Sequence, residues 1–194
     1  MATATRKTTA AKATRKTPAK ASRGSTTSSG QDAIALLRAD HKRVSDLYEQ
    51  YESTRSAAKK KTIVASICLE LSVHAQVEEE IFYPAVKAAL KDKELVPEAQ
   101  VEHASLKELI AQVKDKEPDG EMFDAKIKVM SEYTKHHVKE EQNEMFPKAK
   151  NTRLDMKELG ERIAARKEEL MANPALLEAA PATSLQPMES VPAE

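Results

Sequence analysis

One eleven-residue segment occurs twice in this chain, and it constrains the fold more than any other feature. The copies are residues 74–84 (HAQVEEEIFYP) and residues 137–147 (HVKEEQNEMFP). Each begins with a histidine, carries a glutamate four residues later, and ends with two bulky residues and a proline. Four residues of an α-helix advance about 400°, so the histidine and the glutamate lie on one face. Because imidazole and carboxylate are ligands that suit iron, manganese or zinc, the repeat predicts a helical metal site.

Two further histidines extend the duplication beyond this segment. His41 and His103 each follow an acidic residue, and they precede the histidines of the repeated segments by 33 and 34 residues. A unit of helix, single histidine, turn and second helix with His-x3-Glu therefore occurs twice. Such a repeat is typical of an internally duplicated, antiparallel four-helix bundle.

The spacing of apolar residues predicts where the helices lie. Four main helices are expected at about residues 32–55, 60–90, 97–116 and 122–145, with a weaker fifth at 154–171. Pro84 is expected to kink the second helix or to end its regular part. The prediction is an all-α chain: an antiparallel up-down four-helix bundle at 32–150, a weak C-terminal helix within 151–172, and a flexible tail at 173–194.

The N-terminal segment differs in charge from the rest of the chain. Residues 1–30 contain seven Lys or Arg and no acid, so the remainder carries a net charge of −7 although the whole chain is neutral. With almost nothing to bury, residues 1–31 are expected to be a disordered basic tail. Three roles stay open for residues 1–30: a solubilising tail, contact with nucleic-acid phosphates, or a transit peptide.

Composition excludes several classes of protein. Charged residues make up 32% of the chain and aromatic residues 4%, which favours helices over sheets. No apolar run approaches the roughly 20 residues of a membrane span, and no signal-peptide core follows the N-terminus. The single cysteine, Cys68, excludes an internal disulfide, so a reducing, cytoplasmic location is expected.

Six side chains on the predicted inward faces share one chemistry. They are one histidine from each main helix and two glutamates: His41, His74, Glu78, His103, His137 and Glu141. A lone histidine on an apolar face is usually a core residue bonded to a neighbouring group. Two buried carboxylates, however, are costly when they are charged and unpaired. Because no Lys or Arg stands at the same level of these faces, a bound metal is the predicted explanation.

The order of these six residues, with the two His-x3-Glu segments, resembles the hemerythrin/HHE cation-binding domain family over about residues 32–150. The resemblance implies a non-haem centre of two iron ions. It gives one histidine ligand to each helix, makes both glutamates bridges, and adds an oxo or hydroxo bridge. The rival ferritin-like di-iron bundle uses Glu-x-x-His, and no histidine of this chain follows a glutamate at that spacing.

Residues around the six are expected to have other roles. His136 lies about 100° from the inward face and is expected to be solvated. Three acids are expected to point away from the centre: Glu79, Glu80 and Glu140. Two others, Glu70 and Glu144, lie one turn from ligand positions and are expected to accept hydrogen bonds from imidazole N–H groups.

One position departs from the oxygen-carrying members of the family. In those proteins the third helix contributes a second histidine four residues after the first, and here that position is Lys107. Two six-coordinate irons have about twelve ligand positions, of which the expected ligands leave two, one per iron. The resemblance therefore implies a centre that is more symmetric and more open than that of a dedicated oxygen carrier.

These observations favour a hemerythrin-like di-iron protein that binds or senses O2, NO or peroxide, or handles iron during oxidative or nitrosative stress. Two alternatives stay open. One is a di-iron enzyme of the peroxidase, catalase-like or NO-reducing kind. The other is a nucleic-acid-associated protein, held to phosphates by residues 1–30, in which the di-iron domain is a regulatory head.

Overall fold

The computed structural model describes Met1 and residues 31–179, and every regular element in that part of the chain is helical. The prediction of an all-α fold is confirmed there. The helices are α1 (Ala33–Ser53), α2 (Ala57–Val77), α3 (Tyr83–Ala89), α4 (Leu95–Val113), α5 (Glu121–Glu140), α6 (Phe146–Lys150), α7 (Met156–Ala172) and α8 (Ala175–Ala179).

Side-chain caps determine where several helices begin. Asp32 accepts a hydrogen bond of 2.7 Å from the amide of Ala35 and is the N-cap of α1. Ser56 caps α2 and Asp155 caps α7 in the same way. Gly120 precedes α5 with a φ of 83°, a backbone conformation that favours glycine, and it ends the connection between α4 and α5.

Two π-helical turns interrupt the long helices at the repeated segment. They span Glu78–Phe82, between α2 and α3, and Glu141–Met145, between α5 and α6. In each turn the amide that follows it donates five residues back, from Tyr83 to Glu78 and from Phe146 to Glu141. A proline then occupies the start of the next helix, where its missing N–H is tolerated. The predicted kink at Pro84 is therefore a π turn that keeps the chain helical.

The core consists of two hydrophobic clusters with a polar layer between them. One cluster surrounds Leu37, Phe82 and Phe146, and the other surrounds Val44 and Ile127. Helix α1 packs against α2, and α4 packs against α5. The repeated His-x3-Glu segments cross the boundary between the clusters, so their polar side chains meet inside the fold.

Helix α7 packs against α1 and α2 and adds Ile163 and Leu170 to the core. Its approach is close at Gly160, where a Cβ atom would lie 2.2 Å from the carbonyl oxygen of Gln31. The packing of α7 therefore requires a glycine at position 160.

The C-terminal segment is helical at its start. Residues 175–179 form α8, within the range 173–194 for which the sequence predicted only a flexible tail. The remainder of that range and nearly all of the predicted basic tail lie outside the described residues. Within the described residues, no helix has the length and apolarity needed to cross a membrane.

Candidate metal centre

The structure brings all six predicted residues together in the polar layer. Each of their side chains belongs to a residue that is at most 5% exposed. The Nε2 atoms of His41 and His74 lie 3.0 Å apart, and those of His103 and His137 lie 3.2 Å apart. The four imidazoles therefore form two close pairs, one from each half of the duplicated sequence.

The two carboxylates lie between the imidazole pairs. Oε2 of Glu78 is 3.2 Å from Nε2 of His74 and 3.4 Å from Nε2 of His103. Oε2 of Glu141 is 3.1 Å from Nε2 of His41 and 3.6 Å from Nε2 of His137. Each glutamate thus contacts one histidine of each half, which is the placement that a bridging ligand requires.

The acid before each single histidine contacts the histidine of the next helix. Glu102 Oε2 lies 2.7 Å from Nδ1 of His137, and Asp40 Oδ2 lies 3.7 Å from Nδ1 of His74. Asp40 also binds the ammonium group of Lys167, on α7. Burial favours the protonated form of Asp40, but the attraction of His74 and Lys167 outweighs it and lowers the pKa of this carboxyl.

The residue after each glutamate contacts the single histidine of the other half. Glu79 Oε1 lies 3.0 Å from Nδ1 of His103, and the Gln142 amide lies 3.1 Å from Nδ1 of His41. Glu79 also accepts hydrogen bonds of 2.7 Å from Lys107. Burial opposes the ionisation of Glu79, but the contacts with His103 and Lys107 lower its pKa, so it is an anion.

These outer contacts turn the same ring nitrogen inward in all four histidines. Because a carboxylate can only accept a hydrogen bond, the neutral imidazoles of His103 and His137 carry their protons on Nδ1. The Nε2 lone pairs of these two rings then point at each other and at the carboxylates, whereas Nδ1 of His41 accepts from the Gln142 amide. A cation between them converts this repulsion into attraction, as in other imidazole–carboxylate metal sites.

The electrostatics of the layer also fit a cation. Burial and the charge of Glu141 raise the pKa of Glu78 well above its ordinary value. Burial lowers the pKa of His74 to about 4, so its imidazole is neutral and able to bind a metal. Glu78 Oε1 and Glu141 Oε2 are buried and form no hydrogen bond with any residue that the structure describes. Metal ions would satisfy both oxygens.

Three expectations about neighbouring acids require correction. Glu79 does not point away, because it contacts His103. Glu70 pairs with Arg43 at 3.3 Å instead of an imidazole, and Glu144 is exposed. The sequence contained a signal for the acids that do contact imidazoles, because an acid directly precedes both His41 and His103. A side chain one position before an inward histidine can face the neighbouring helix and reach the histidine there.

Other expectations about this region are confirmed. His136 is largely exposed, and it lies 3.1 Å from Glu140 and 3.4 Å from Glu102. Glu80 is directed away from the centre and pairs with Arg166 at 2.7 Å. These residues therefore do not belong to the inner set.

Sequence reasoning missed Tyr83, whose hydroxyl lies inside the inner set. Its Oη is 3.0 Å from Glu141 Oε1, 3.2 Å from His103 Nε2 and 3.3 Å from Glu78 Oε2. The available signal was the difference between the repeats, which have Tyr83 and Phe146 at the same position. The expected symmetry of the centre is therefore broken by one hydroxyl group.

A small cavity adjoins the centre, and Tyr83 is not among the residues that line it. Its volume is about 20 Å³, enough for roughly one molecule the size of water. All four histidines line it, together with apolar side chains that include Val44, Leu71, Ala75, Leu106 and Ile110. Such a space admits a diatomic molecule more readily than any larger substrate.

Comparisons with known proteins show the family and the fold of this chain. Residues 32–149 match the model of the hemerythrin HHE cation binding domain. The crystal structure of a hemerythrin HHE cation-binding domain-containing protein from Mycobacterium kansasii superposes with a TM-score of 0.63 and 21% identity. That similarity covers 77% of this chain and 99% of the other, and it concerns the fold.

A curated relative is similar over part of its length. A DNA nickase from Nostoc sp. (strain PCC 7120 / SAG 25.82 / UTEX 2576) is 25% identical over 116 residues. These residues are 60% of this chain and 33% of the relative, so the chain spans about a third of that protein.

The contact between Glu79 and His103 gives a test of the outer shell. Glu79→Ala removes the anion that orients this imidazole, and we expect metal affinity to fall about 10- to 100-fold. Anaerobic titration with Fe²⁺ measures the effect. Glu80→Ala is the matched control. The Glu80 carboxylate is next to Glu79 in the sequence, but it pairs with Arg166 and contacts none of the four histidines. Equal affinities in the two variants would contradict the assigned role.

Proposed function

Because the chain belongs to the hemerythrin HHE cation-binding domain family, we propose that its six converging side chains hold two iron ions and that this centre binds O2, NO or hydrogen peroxide. The observation that carries the proposal is the inward orientation of four imidazole nitrogens around two carboxylates, each of which contacts a histidine of both halves. Two imidazole pairs, each within reach of both carboxylates, suit two ions rather than one.

The donor set supports iron in particular. Imidazole with carboxylate is a mixture that non-haem iron accepts, whereas structural zinc sites are commonly rich in cysteine. The described residues include one cysteine, Cys68, which lies in the hydrophobic cluster around Val44 and Ile127. When bound, iron supplies the redox change and the open positions that O2, NO or peroxide require.

The chain's own residues explain selectivity for small ligands. The apolar side chains at the cavity exclude most water, and its volume of about 20 Å³ limits what can reach the imidazoles. Asp40, Glu79, Glu102 and Gln142 hold the rings in place. We further propose that residues 32–150 form an antiparallel up-down four-helix bundle, with α7 packed beside it.

The enzymatic alternative uses the same two ions. A peroxidase, catalase-like or NO-reducing protein would consume peroxide or NO repeatedly, whereas a binding or sensing protein would form one adduct per centre. The rate of peroxide or NO loss per iron separates these readings.

The iron assignment predicts a specific loss on mutation. Anaerobically purified protein should contain about two irons per chain, and its absorption should change on exposure to air. His103→Ala should lose about half of the iron or more, because one imidazole pair is broken. His136→Ala, in which an exposed histidine beside His137 is removed, should keep its iron. Unchanged iron content in His103→Ala would refute the assignment.

The cavity predicts a separate effect on ligand binding. Val44→Ile adds one methylene group to the cavity wall, and we expect binding of NO to the reduced protein to slow about tenfold while iron content is unchanged. Stopped-flow absorption measures this rate. Val64→Ile makes the same change in the same hydrophobic cluster, at a residue that does not line the cavity, and controls for overpacking. If both variants bind NO equally fast, this cavity is not the route or the site.

A second candidate function is association with nucleic acid. Two observations favour it: the acid-free basic segment at residues 1–30, and the similarity to a protein named as a DNA nickase. Seven cations can contact phosphates, whereas the rest of the chain carries a net charge of −7 and repels them. The iron centre would then be a regulatory head or a protection against iron-driven damage.

DNA binding by the full chain should depend steeply on salt. We expect affinity to fall about a thousandfold or more between about 50 and 200 mM salt if most of the seven cations contact phosphates. Residues 31–194, and a full-length variant with Gln at the seven basic positions, should not bind. Fluorescence anisotropy measures binding, and supercoiled plasmid tests for nicking. Equal binding by the full chain and the Gln variant would exclude this role for residues 1–30.

A further inference from the structure

The outer nitrogen of His74 differs from that of the other three histidines in the inner set. Nδ1 of His103 and Nδ1 of His137 lie 3.0 and 2.7 Å from carboxylate oxygens. Nδ1 of His41 lies 3.1 Å from the amide nitrogen of Gln142. Nδ1 of His74, in contrast, is buried and forms no hydrogen bond with any residue that the structure describes. One of the four imidazoles therefore lacks an outer hydrogen bond.

The carboxylate that could complete this bond lies just out of reach. Oδ2 of Asp40 is 3.7 Å from Nδ1 of His74, whereas a hydrogen bond between such atoms is about 2.7 to 3.2 Å long. This oxygen is also buried and has no hydrogen-bond partner among the described residues. The equivalent acid of the second repeat, Glu102, does reach its histidine, His137, at 2.7 Å. A buried nitrogen and a buried oxygen left unpaired side by side are costly, so another contact must hold them apart.

That contact comes from Lys167, whose ammonium group binds the other oxygen of Asp40. Lys167 lies on the inward face of α7, four residues after Ile163 and three before Leu170, and both of these neighbours are fully buried. A lysine between two core residues is unfavourable unless its charge is paired. Asp40 supplies the opposite charge, and the ion pair holds this carboxylate toward α7.

The charged groups of α7 act on one side of the centre. This helix packs against α1, α2 and the π turn at Glu78–Phe82, which carry His41, His74 and the first bridging glutamate. Its two neighbouring cations follow the same division, since Lys167 binds Asp40 on α1 and Arg166 binds Glu80 in the π turn. The positive charge of Lys167 therefore lies behind the imidazole pair of the first repeat.

We propose that Lys167 is a positioning residue that withholds the Asp40 carboxylate from His74. It thereby raises the reduction potential of the iron that His41 and His74 bind. This proposal rests on the proposed di-iron function. An imidazole that donates Nδ1–H to a carboxylate is a stronger donor to its metal and favours the ferric state. While Lys167 holds Asp40, His74 is the weaker donor, so this iron retains the ferrous state, which is the state that reacts with O2.

The reduction potential of the iron-loaded full chain tests this role. Lys167→Met removes the cation and keeps a long side chain, so Asp40 is free to close the gap to His74. We expect the ferrous-to-ferric ratio of one iron per chain to fall about tenfold at a fixed potential, a shift of about 59 mV to lower potential. Anaerobic spectroelectrochemical titration measures the shift. Lys167→Arg keeps the cation and should keep the potential. An unchanged or raised potential in Lys167→Met would overturn the proposal.

Arg166→Met is the matched control on the same helix. Its side chain is 25% exposed, against 28% for Lys167, and it also pairs with an acid of the bundle. Because that acid, Glu80, contacts none of the four histidines, Arg166→Met should keep the potential of the unmodified chain. An equal shift in the two variants would mean that any loosening of α7 lowers the potential, and it would overturn the specific role of Lys167.

A double-mutant cycle separates positioning of Asp40 from a direct effect of the lysine charge. If Lys167 acts through Asp40, Lys167→Met should leave the potential unchanged in an Asp40→Asn background. The full shift in that background would overturn the proposal. Circular dichroism verifies the fold of each variant. Two irons per chain with no response to Lys167→Met would leave the di-iron function standing, whereas failure of the full chain to bind iron would overturn both that function and this inference.

Discussion

Two carboxylates and four imidazoles are buried within a few ångströms of one another, and the rest of this structure depends on how that concentration of lone pairs is stabilised. The six residues are at most 5% exposed, so these groups are not solvated as they are on a surface. Helices from both halves of the sequence must pack with their histidines at the same level for each glutamate to contact both halves. The capped starts of α1 and α2, the close approach of α7 at Gly160 and the two apolar clusters all serve that placement.

The sequence predicted the inner set because its signal is periodic and duplicated. His74 and Glu78 recur as His137 and Glu141 at the same helical spacing, and periodicity of this kind is readable without tertiary information. The approximate positions of the helices followed from the spacing of apolar residues. The outer partners were less accessible, because Asp40 and Glu102 act on histidines of neighbouring helices. Their roles depend on how the helices pack, which one-dimensional spacing does not contain.

The duplication also hid the difference between the halves. A repeat suggests equivalent metal positions, yet Glu79 corresponds to Gln142 and Tyr83 corresponds to Phe146. Each pair exchanges a polar or charged group for a neutral or apolar one of similar size. The carboxylate of Glu79 places negative charge beside His103, and the neutral hydroxyl of Tyr83 adds an oxygen atom on the same side. A symmetric fold therefore carries different groups in its two halves.

The π turns have a consequence for how such chains are compared. Residues five apart on an α-helix are separated by about 140°, so Glu78 and Tyr83 could not serve one site in a regular helix. The wider turn from Glu78 to Phe82 brings them to the same side. A sequence search for site residues that assumes 3.6 residues per turn will place the fifth residue after the glutamate on a different face of the helix and discard it. In this chain that position is where the two repeats differ by a single oxygen atom, in Tyr83 and Phe146.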